Sequence, residues 1–279
     1  MDIQLGRFNS MKIVKTVDFG LYLDGGEYGE ILLPSRYVPE EFEIGEMLDV
    51  FLYLDMDERM IATTLTPYVQ VGEFGYLEVA WINEFGAFLD WGLMKDLFVP
   101  FGEQKMKMQV GRKYIVHAHI DDASYRIVGS AKVDKFLSQE KASYEEGDEV
   151  DVLIWQKSDL GFKAIIDNKY SGLLYDNEIF QPLYTGMRLK AFIKQVRPDG
   201  KIDLILQESG RQHVLDFSDT LLSYIKENGG KTSFHDKSEA EDIYESFDVS
   251  KKVFKKAVGD LYRKRLIRLE PEQIILNKK

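Results

Sequence analysis

Cysteine is absent from the 279 residues, which removes disulfide staples, thiol nucleophiles, cysteine zinc sites and iron–sulfur clusters together. Any small domain in the chain must stand on packing alone. No apolar run approaches the roughly 18–20 residues that span a bilayer, and Met1-Asp2-Ile3-Gln4 lacks the basic start and apolar stretch of a secretory signal. Histidine is scarce, at four, and only His117 and His119 lie close together. Their shared strand face has the spacing of a two-ligand metal edge, with Asp121 and Asp122 nearby, but no third histidine is local and a structural role fits better. Phosphate-loop, Gly-x-Ser-x-Gly and His-Glu-x-x-His patterns are missing. Gly25-Gly26 and Gly229-Gly230 are turn signals. The expectation is a cytoplasmic protein that is not an enzyme, with no catalytic residue, metal or cofactor.

Excess positive charge is also lacking. Forty-seven acids against thirty-six bases leave a net −11, which argues against a surface that is a nucleic-acid glove throughout. The imbalance is uneven. Residues 1–67 carry 13 acids and 5 bases, residues 68–140 carry 10 and 8, residues 141–215 carry 12 and 10, and residues 216–279 carry 12 and 13. A polyanion should avoid the first quarter and prefer the rest.

What is present is repetition. Phe19-Gly20-Leu21-Tyr22-Leu23-Asp24 returns 66 residues later as Phe85-Gly86-Ala87-Phe88-Leu89-Asp90. The same offset carries Pro34 to Pro100, Gly45 to Gly111 and Asp55 to Asp121. A fainter copy follows at an offset of 75, taking Gly86 to Gly161 and Gly111 to Gly186, with Pro100 replaced by Tyr175. Within each copy the apolar period is two, β-branched and aromatic residues are enriched, and glycine or proline punctuates the runs. Five strands in about 65–70 residues suit a small closed barrel of the OB type, which also removes exposed sheet edges.

The last quarter changes period. Leu221, Leu222 and Ile225, stopped by Asn228-Gly229-Gly230, predict one amphipathic helix from Asp216. Ile243, Tyr244 and Phe247 predict a second. Ser250 caps a third that runs to about Lys264, with Val253, Phe254, Ala257, Val258, Leu261 and Tyr262 on its buried side. Leu266–Leu269 and Gln273–Leu276 then read as a hairpin, and three helices with a two-stranded wing form the winged-helix arrangement. The expected fold is mainly β and multi-domain: barrels over 1–67, 68–140 and 141–215, then an α+β winged helix over 216–279.

The Phe-Gly-x-Phe/Tyr-apolar strands and the later Gly45 and Gly111 resemble S1 domains, the OB-type RNA-binding module. Three such repeats before a winged helix resemble the bacterial conserved virulence factor B family, also called the YitL-like family, over nearly the whole chain. The resemblance implies a non-enzymatic RNA-binding regulator of gene expression. Three features depart from the pattern. Leu160-Gly161-Phe162-Lys163 has its aromatic one place early, Pro34, Pro100 and Tyr175 stand where many S1 domains have histidine, and the first repeat is strongly acidic.

Single-stranded nucleic acid is held by rings that stack on bases and by cations that follow phosphates. The candidate rings are Phe85, Phe88 and Trp91 in the second repeat, and Phe162, Tyr170 and Tyr175 in the third. The candidate cations are Lys163, Lys169, Arg188, Lys190, Lys194 and Arg197, of which Arg188, Lys190 and Lys194 share one strand face. In the tail, Lys251, Lys252, Lys255 and Lys256 form a stripe on the third helix, and Arg268 opens the wing. Plainer readings stand beside these. Phe19 and Phe85 fit core or platform, Tyr22 reads as structural, Trp81 and Trp155 read as core fillers, and either cationic face fits a merely solvated surface. The expected partner is single-stranded RNA, bound in post-transcriptional regulation. A protein scaffold whose acidic first barrel takes a basic partner, and duplex DNA binding by the winged helix, remain alternatives.

Overall fold

A computed structural model describes residues 3–179, 181–206 and 211–277, the stretch 211–216 in backbone only. The chain forms two compact units, 1–137 and 138–279.

The first unit holds two closed five-stranded barrels. One comprises β1 (Phe8–Val17), β2 (Gly20–Asp24), β3 (Glu30–Pro34), β4 (Met47–Leu54) and β5 (Met60–Thr63). The other comprises β6 (Phe74–Ile82), β7 (Gly86–Asp90), β8 (Leu97–Pro100), β9 (Lys113–Ile120) and β10 (Ile127–Ser130). The second unit opens with a third barrel of β11 (Glu149–Ser158), β12 (Gly161–Ile166), β13 (Tyr170–Tyr175), β14 (Arg188–Val196) and β15 (Ile202–Ile205). All three share one topology, strands 1-2-3-5-4 closing back on strand 1, with strand 3 parallel to strand 5. This is the OB architecture expected from the repeats.

The landmarks of the repeat are closure devices. Gly20, Gly86 and Gly161 open the second strand and pair with Pro34, Pro100 and Tyr175, so the third copy is in true register. A Cβ on them would lie 2.0, 2.3 and 1.9 Å from the carbonyl oxygens of Leu33, Val99 and Leu174. Only glycine allows that approach. Each barrel's first strand is long and bends at a bulge, between Ile13 and Lys15, Val79 and Trp81, and Ile154 and Gln156. Its first half pairs with strand 4 and its second half with strand 2. The bulge is pinned by the N–H of Gly45, Gly111 or Gly186, which donates to the carbonyl of Ile13 (2.8 Å), Val79 (2.9 Å) or Ile154 (2.8 Å). Those glycines sit at φ of +98°, +76° and +91°, a region that disfavours a Cβ.

The two barrels of the first unit share a core. Phe51 and Tyr53 on β4 belong to the same buried cluster as Val79, Leu89 and Trp91, and the rings of Phe51 and Trp91 meet edge-on at 5.8 Å. Trp91 is therefore an interior residue, only 3% exposed, with Nε1 donating to the Lys95 carbonyl at 2.6 Å. Its candidacy as a stacking ring falls, because it is buried in the core that the two barrels share.

In the second unit, α1 (Arg211–Glu227), β16 (Lys231–Thr232), α2 (Ala240–Phe247), α3 (Lys251–Arg263), β17 (Ile267–Glu270) and β18 (Gln273–Leu276) form the winged helix. The helix expected from Asp216 starts at Arg211, so the expected boundary between 215 and 216 falls inside α1. Phe217, Leu221, Ile225, Ile243, Phe254, Val258 and Leu261 make its core. Asp248, left-handed at φ +53°, ends α2, and the Ser250 hydroxyl accepts from the Val253 N–H at 3.3 Å to cap α3. Sequence reading missed β16, which adds a third strand beside β18. No helix among the described residues is long and apolar enough to cross a membrane.

His117 and His119 lie on β9. His117 is buried and its ring stacks on Phe136 at 4.1 Å, beside Phe74 at 4.7 Å and His119 at 6.1 Å. Burial, followed by the neighbouring His119, pulls the His117 imidazole down to about 4 against a hydrogen bond to the Gly72 backbone. The folded chain keeps it neutral while the unfolded chain protonates near the ordinary 6.5. Stability is therefore lost as pH falls from about 6.5 toward 4, by on the order of 3 kcal/mol. Urea unfolding of the full chain across that range should show the loss, and His117→Phe should flatten it. An equally steep profile in the variant would place the titration elsewhere.

Candidate nucleic-acid interface

The bulge in β6 decides what the second barrel shows to solvent. Leu77 and Val79 point inward, and strict alternation would put Trp81 inside with them. The bulge after Val79 reverses the parity, and Trp81 emerges 45% exposed. Its expected place in the core is thereby corrected. The indole lies flat on Phe88, with ring centroids at 3.7 Å and planes within 3°, and Nε1 donates to Asp96 Oδ2 at 2.8 Å. Phe88 in turn meets Phe98 at 4.9 Å. Phe85, at the β6–β7 turn, is 64% exposed. Its turn is set by Asn83 Oδ1, which accepts from the Phe85 and Gly86 N–H groups at 2.8 and 3.2 Å.

Phe85, Phe88 and Phe98 line a cleft of about 420 Å³ together with Lys95, Arg126 and Glu58 of the first barrel. Sequence reading found Phe85 and Phe88 but missed Trp81, Phe98, Lys95 and Arg126. No local pattern signals those four, since they meet only through strand order. The first barrel offers a lesser version of the face, with Phe19 exposed and edge-on to Tyr22 at 6.2 Å, and Lys15 over the Tyr22 ring.

The third barrel's candidates are engaged with their own chain. Lys190 pairs with Asp151 at 3.1 Å and Glu149 at 3.5 Å, and Lys194 with Glu178 at 2.6 Å. Arg188 is exposed beside them on β14. Two of the three charges on this strand face are thus countered within the barrel. Phe162 lies half-buried under Lys157 at 4.2 Å, and Lys163 sits over the ring of Trp155, which is buried as expected. The Tyr175 hydroxyl accepts from Arg197, whose Nε also donates to the buried Asp203 carboxylate at 2.8 Å. Tyr170 is edge-on to Tyr144 at 5.6 Å, with Lys169 above it at 5.1 Å.

The winged helix differs. Ser250 and the apolar Phe254, Ala257, Val258 and Leu261 fix which side of α3 is buried, leaving Lys252, Lys255 and Lys256 exposed and Lys251 half-exposed. None of the four has a carboxylate partner among the described residues. Arg263 and Lys264 share Asp260, at 3.9 and 2.7 Å, and Arg268 on β17 pairs with Glu270 at 3.4 Å.

The fold and these faces define a class: tandem S1-type barrels followed by a winged helix, domains of nucleic-acid-binding rather than catalytic type. A family model for the S1 domain matches residues 5–65, and one described as a CvfB-like winged helix domain matches residues 219–276. The uncharacterized protein YitL of Bacillus subtilis is 27% identical over 267 residues, 92% of this chain and 89% of that one. Conserved virulence factor B of Staphylococcus epidermidis is 24% identical over 268 residues, covering 92% and 90%. A solved structure from Streptococcus pneumoniae, described as a multidomain protein with nucleic acid binding domains, is 22% identical with a TM-score of 0.42 over 98% of both chains. Over about nine-tenths of its length the chain is similar to YitL and conserved virulence factor B, and its C-terminal domain matches the winged-helix model named for that family.

The contrast between paired and unpaired cations is measurable as stability. Lys194→Gln strands Glu178, whose side chain is only 17% exposed, and should cost about 1–3 kcal/mol in urea unfolding. Lys255→Gln, which leaves no partner behind, should stay within about 0.5 kcal/mol of the parent. Equal losses would contradict the pairing.

Proposed function

We propose that this protein is a non-enzymatic, single-stranded-RNA-binding regulator of gene expression. The observation that supports it best is the row of rings Trp81, Phe88 and Phe98 with Phe85 beside it: Trp81 and Phe85 are exposed, and Phe85, Phe88 and Phe98 line an open cleft. Stacking on such rings contributes about 1–3 kcal/mol per base and tolerates any sequence. The unpaired lysines of α3 supply a second, electrostatic contact. Lysine rather than arginine suits phosphate attraction more than bidentate base reading. Each site is weak alone, and the effective concentration set by the intervening chain makes the two together useful. Phe162, Lys163, Tyr175, Arg188, Lys190, Lys194 and Arg268 remain candidate contacts, and those held in ion pairs must exchange their carboxylates for phosphate.

Fluorescence anisotropy of a labelled RNA of about 15 nucleotides across a salt titration tests the reading. Phe85→Ala and Trp81→Ala, both at exposed rings, should each weaken binding by about tenfold or more. Glutamine at Lys252, Lys255 and Lys256 should weaken it and flatten the salt slope by about 0.7 for each phosphate that is no longer neutralised. No binding at low salt would overturn the RNA reading. Preference of the intact chain for duplex DNA would favour the winged-helix alternative.

A further inference from the structure

The turn between β4 and β5 in the first barrel is built like the turn between β14 and β15 in the third. Asp55 N–H donates to the Arg59 carbonyl at 2.9 Å and Glu58 N–H to the Asp55 carbonyl at 3.2 Å. In the third barrel Arg197 N–H donates to the Lys201 carbonyl at 2.8 Å and Gly200 N–H to the Arg197 carbonyl at 2.9 Å. The equivalent residues, Glu58 and Gly200, are both left-handed, at φ +63° and +82°. Glycine adopts that conformation freely and a residue with a Cβ does not. The first barrel thus places a carboxylate where the backbone favours glycine, and an outlier of this kind points to a use for the side chain.

That carboxylate reaches out of its own barrel. Glu58 Oε1 lies 3.1 Å from Lys95 Nζ and Oε2 lies 3.0 Å from Arg126 Nε, one oxygen to each cation. Lys95 also donates to the Asp55 carbonyl at 2.7 Å. Neither Lys95 nor Arg126 has another carboxylate partner among the described residues. Both line the same cleft as Phe85, Phe88 and Phe98, so a cation pair and exposed ring faces share one opening. The three side chains are 31%, 57% and 35% exposed for Lys95, Arg126 and Glu58, so solvent and a competing anion reach them.

We propose that Lys95 and Arg126 form an anion site for a nucleic-acid phosphate beside the aromatic face, and that Glu58 occupies this site until a phosphate displaces it. The proposal rests on the RNA reading of the same face. Two carboxylate oxygens, each on one cation, stand in for two phosphate oxygens. The acidic first barrel then has a function in binding: it raises the threshold for occupancy of the second barrel, so that a phosphodiester chain that also engages other contacts displaces Glu58 and a stray anion does not.

The test uses the full chain and the labelled RNA above at fixed moderate salt. Glu58→Gln removes the charge, and Glu58→Gly removes the side chain while suiting the left-handed backbone. Both should tighten binding about three- to tenfold, the equivalent of two partly exposed ion pairs. Adding Lys95→Gln and Arg126→Gln to Glu58→Gln should abolish the gain. Glu41→Gln, exposed and outside the cleft lining, makes the same change in net charge and should alter affinity less than about twofold. Unchanged or weaker binding in both Glu58 variants, with parental binding intact, would overturn the anion site and leave the RNA reading standing. Equal tightening by Glu41→Gln would overturn it in favour of general repulsion. No binding by any of the proteins would overturn both.

Discussion

The bulge in each barrel's first strand is the constraint from which the rest follows. A strand of nine or ten residues must serve two partners, and it does so by bending where one extra residue breaks the ladder. Two hydrogen bonds hold the bend: the glycine before strand 4 donates into it, and the bulge residue donates back to the residue after that glycine, as Ile13 does to Glu46, Val79 to Arg112 and Ile154 to Met187. Without the bend the sheet would stay open and leave two edges unpaired. The same bend turns the next residue outward. In the first barrel that residue is Lys15, in the second Trp81 and in the third Gln156. One backbone device therefore closes the fold and assigns a different chemistry to each copy's outer face.

Those faces have diverged. Lys15 lies over Tyr22, Trp81 lies on Phe88, and Gln156 stands opposite Lys163. Only the second copy stacks ring on ring at this position, and its neighbour Phe98 extends the stack along the sheet. In the third barrel the side chains of the same region are drawn into internal ion pairs, where carboxylates from β11 and the turn after β13 meet cations on β14. The exposed Lys190 pairs contribute little to stability, commonly under about 1 kcal/mol each, so a phosphate can compete for that lysine more readily than for Lys194, whose partner Glu178 is largely buried. The helix α3 lysines begin with no such competitor.

The repeat spacing made the fold legible, because Gly20, Gly86 and Gly161 each meet a carbonyl that excludes any other residue, and such positions cannot drift. The capped third helix was legible for a similar reason: Ser250 and the apolar spacing after it specify both its start and its buried side. The site was less so. Trp81 escapes a reading by alternation because a bulge adds one residue to a period of two, and the shift leaves no mark in composition. Trp91 escapes it because its partner, Phe51, lies in a different barrel. The carboxylates that quench Lys190 and Lys194 come from 16 to 41 residues away and are brought near only by barrel closure. A row of basic residues shows potential charge, and the strand order decides whether that charge is free.

A net charge of −11 and a polyanion partner are reconciled by range. Repulsion from the acidic first barrel is screened over about 8 Å at physiological ionic strength. Stacking acts at contact and does not depend on charge. A chain that relies on rings in its second barrel can therefore carry a strongly acidic neighbour, provided the acids nearest the rings are tied down. Glu58 is tied down by Lys95 and Arg126, and Asp96 by the Trp81 indole. Until a phosphate competes for Lys95 and Arg126, the two acids that line the aromatic cleft are held by partners, which leaves the ring faces as the chemistry an approaching strand meets first.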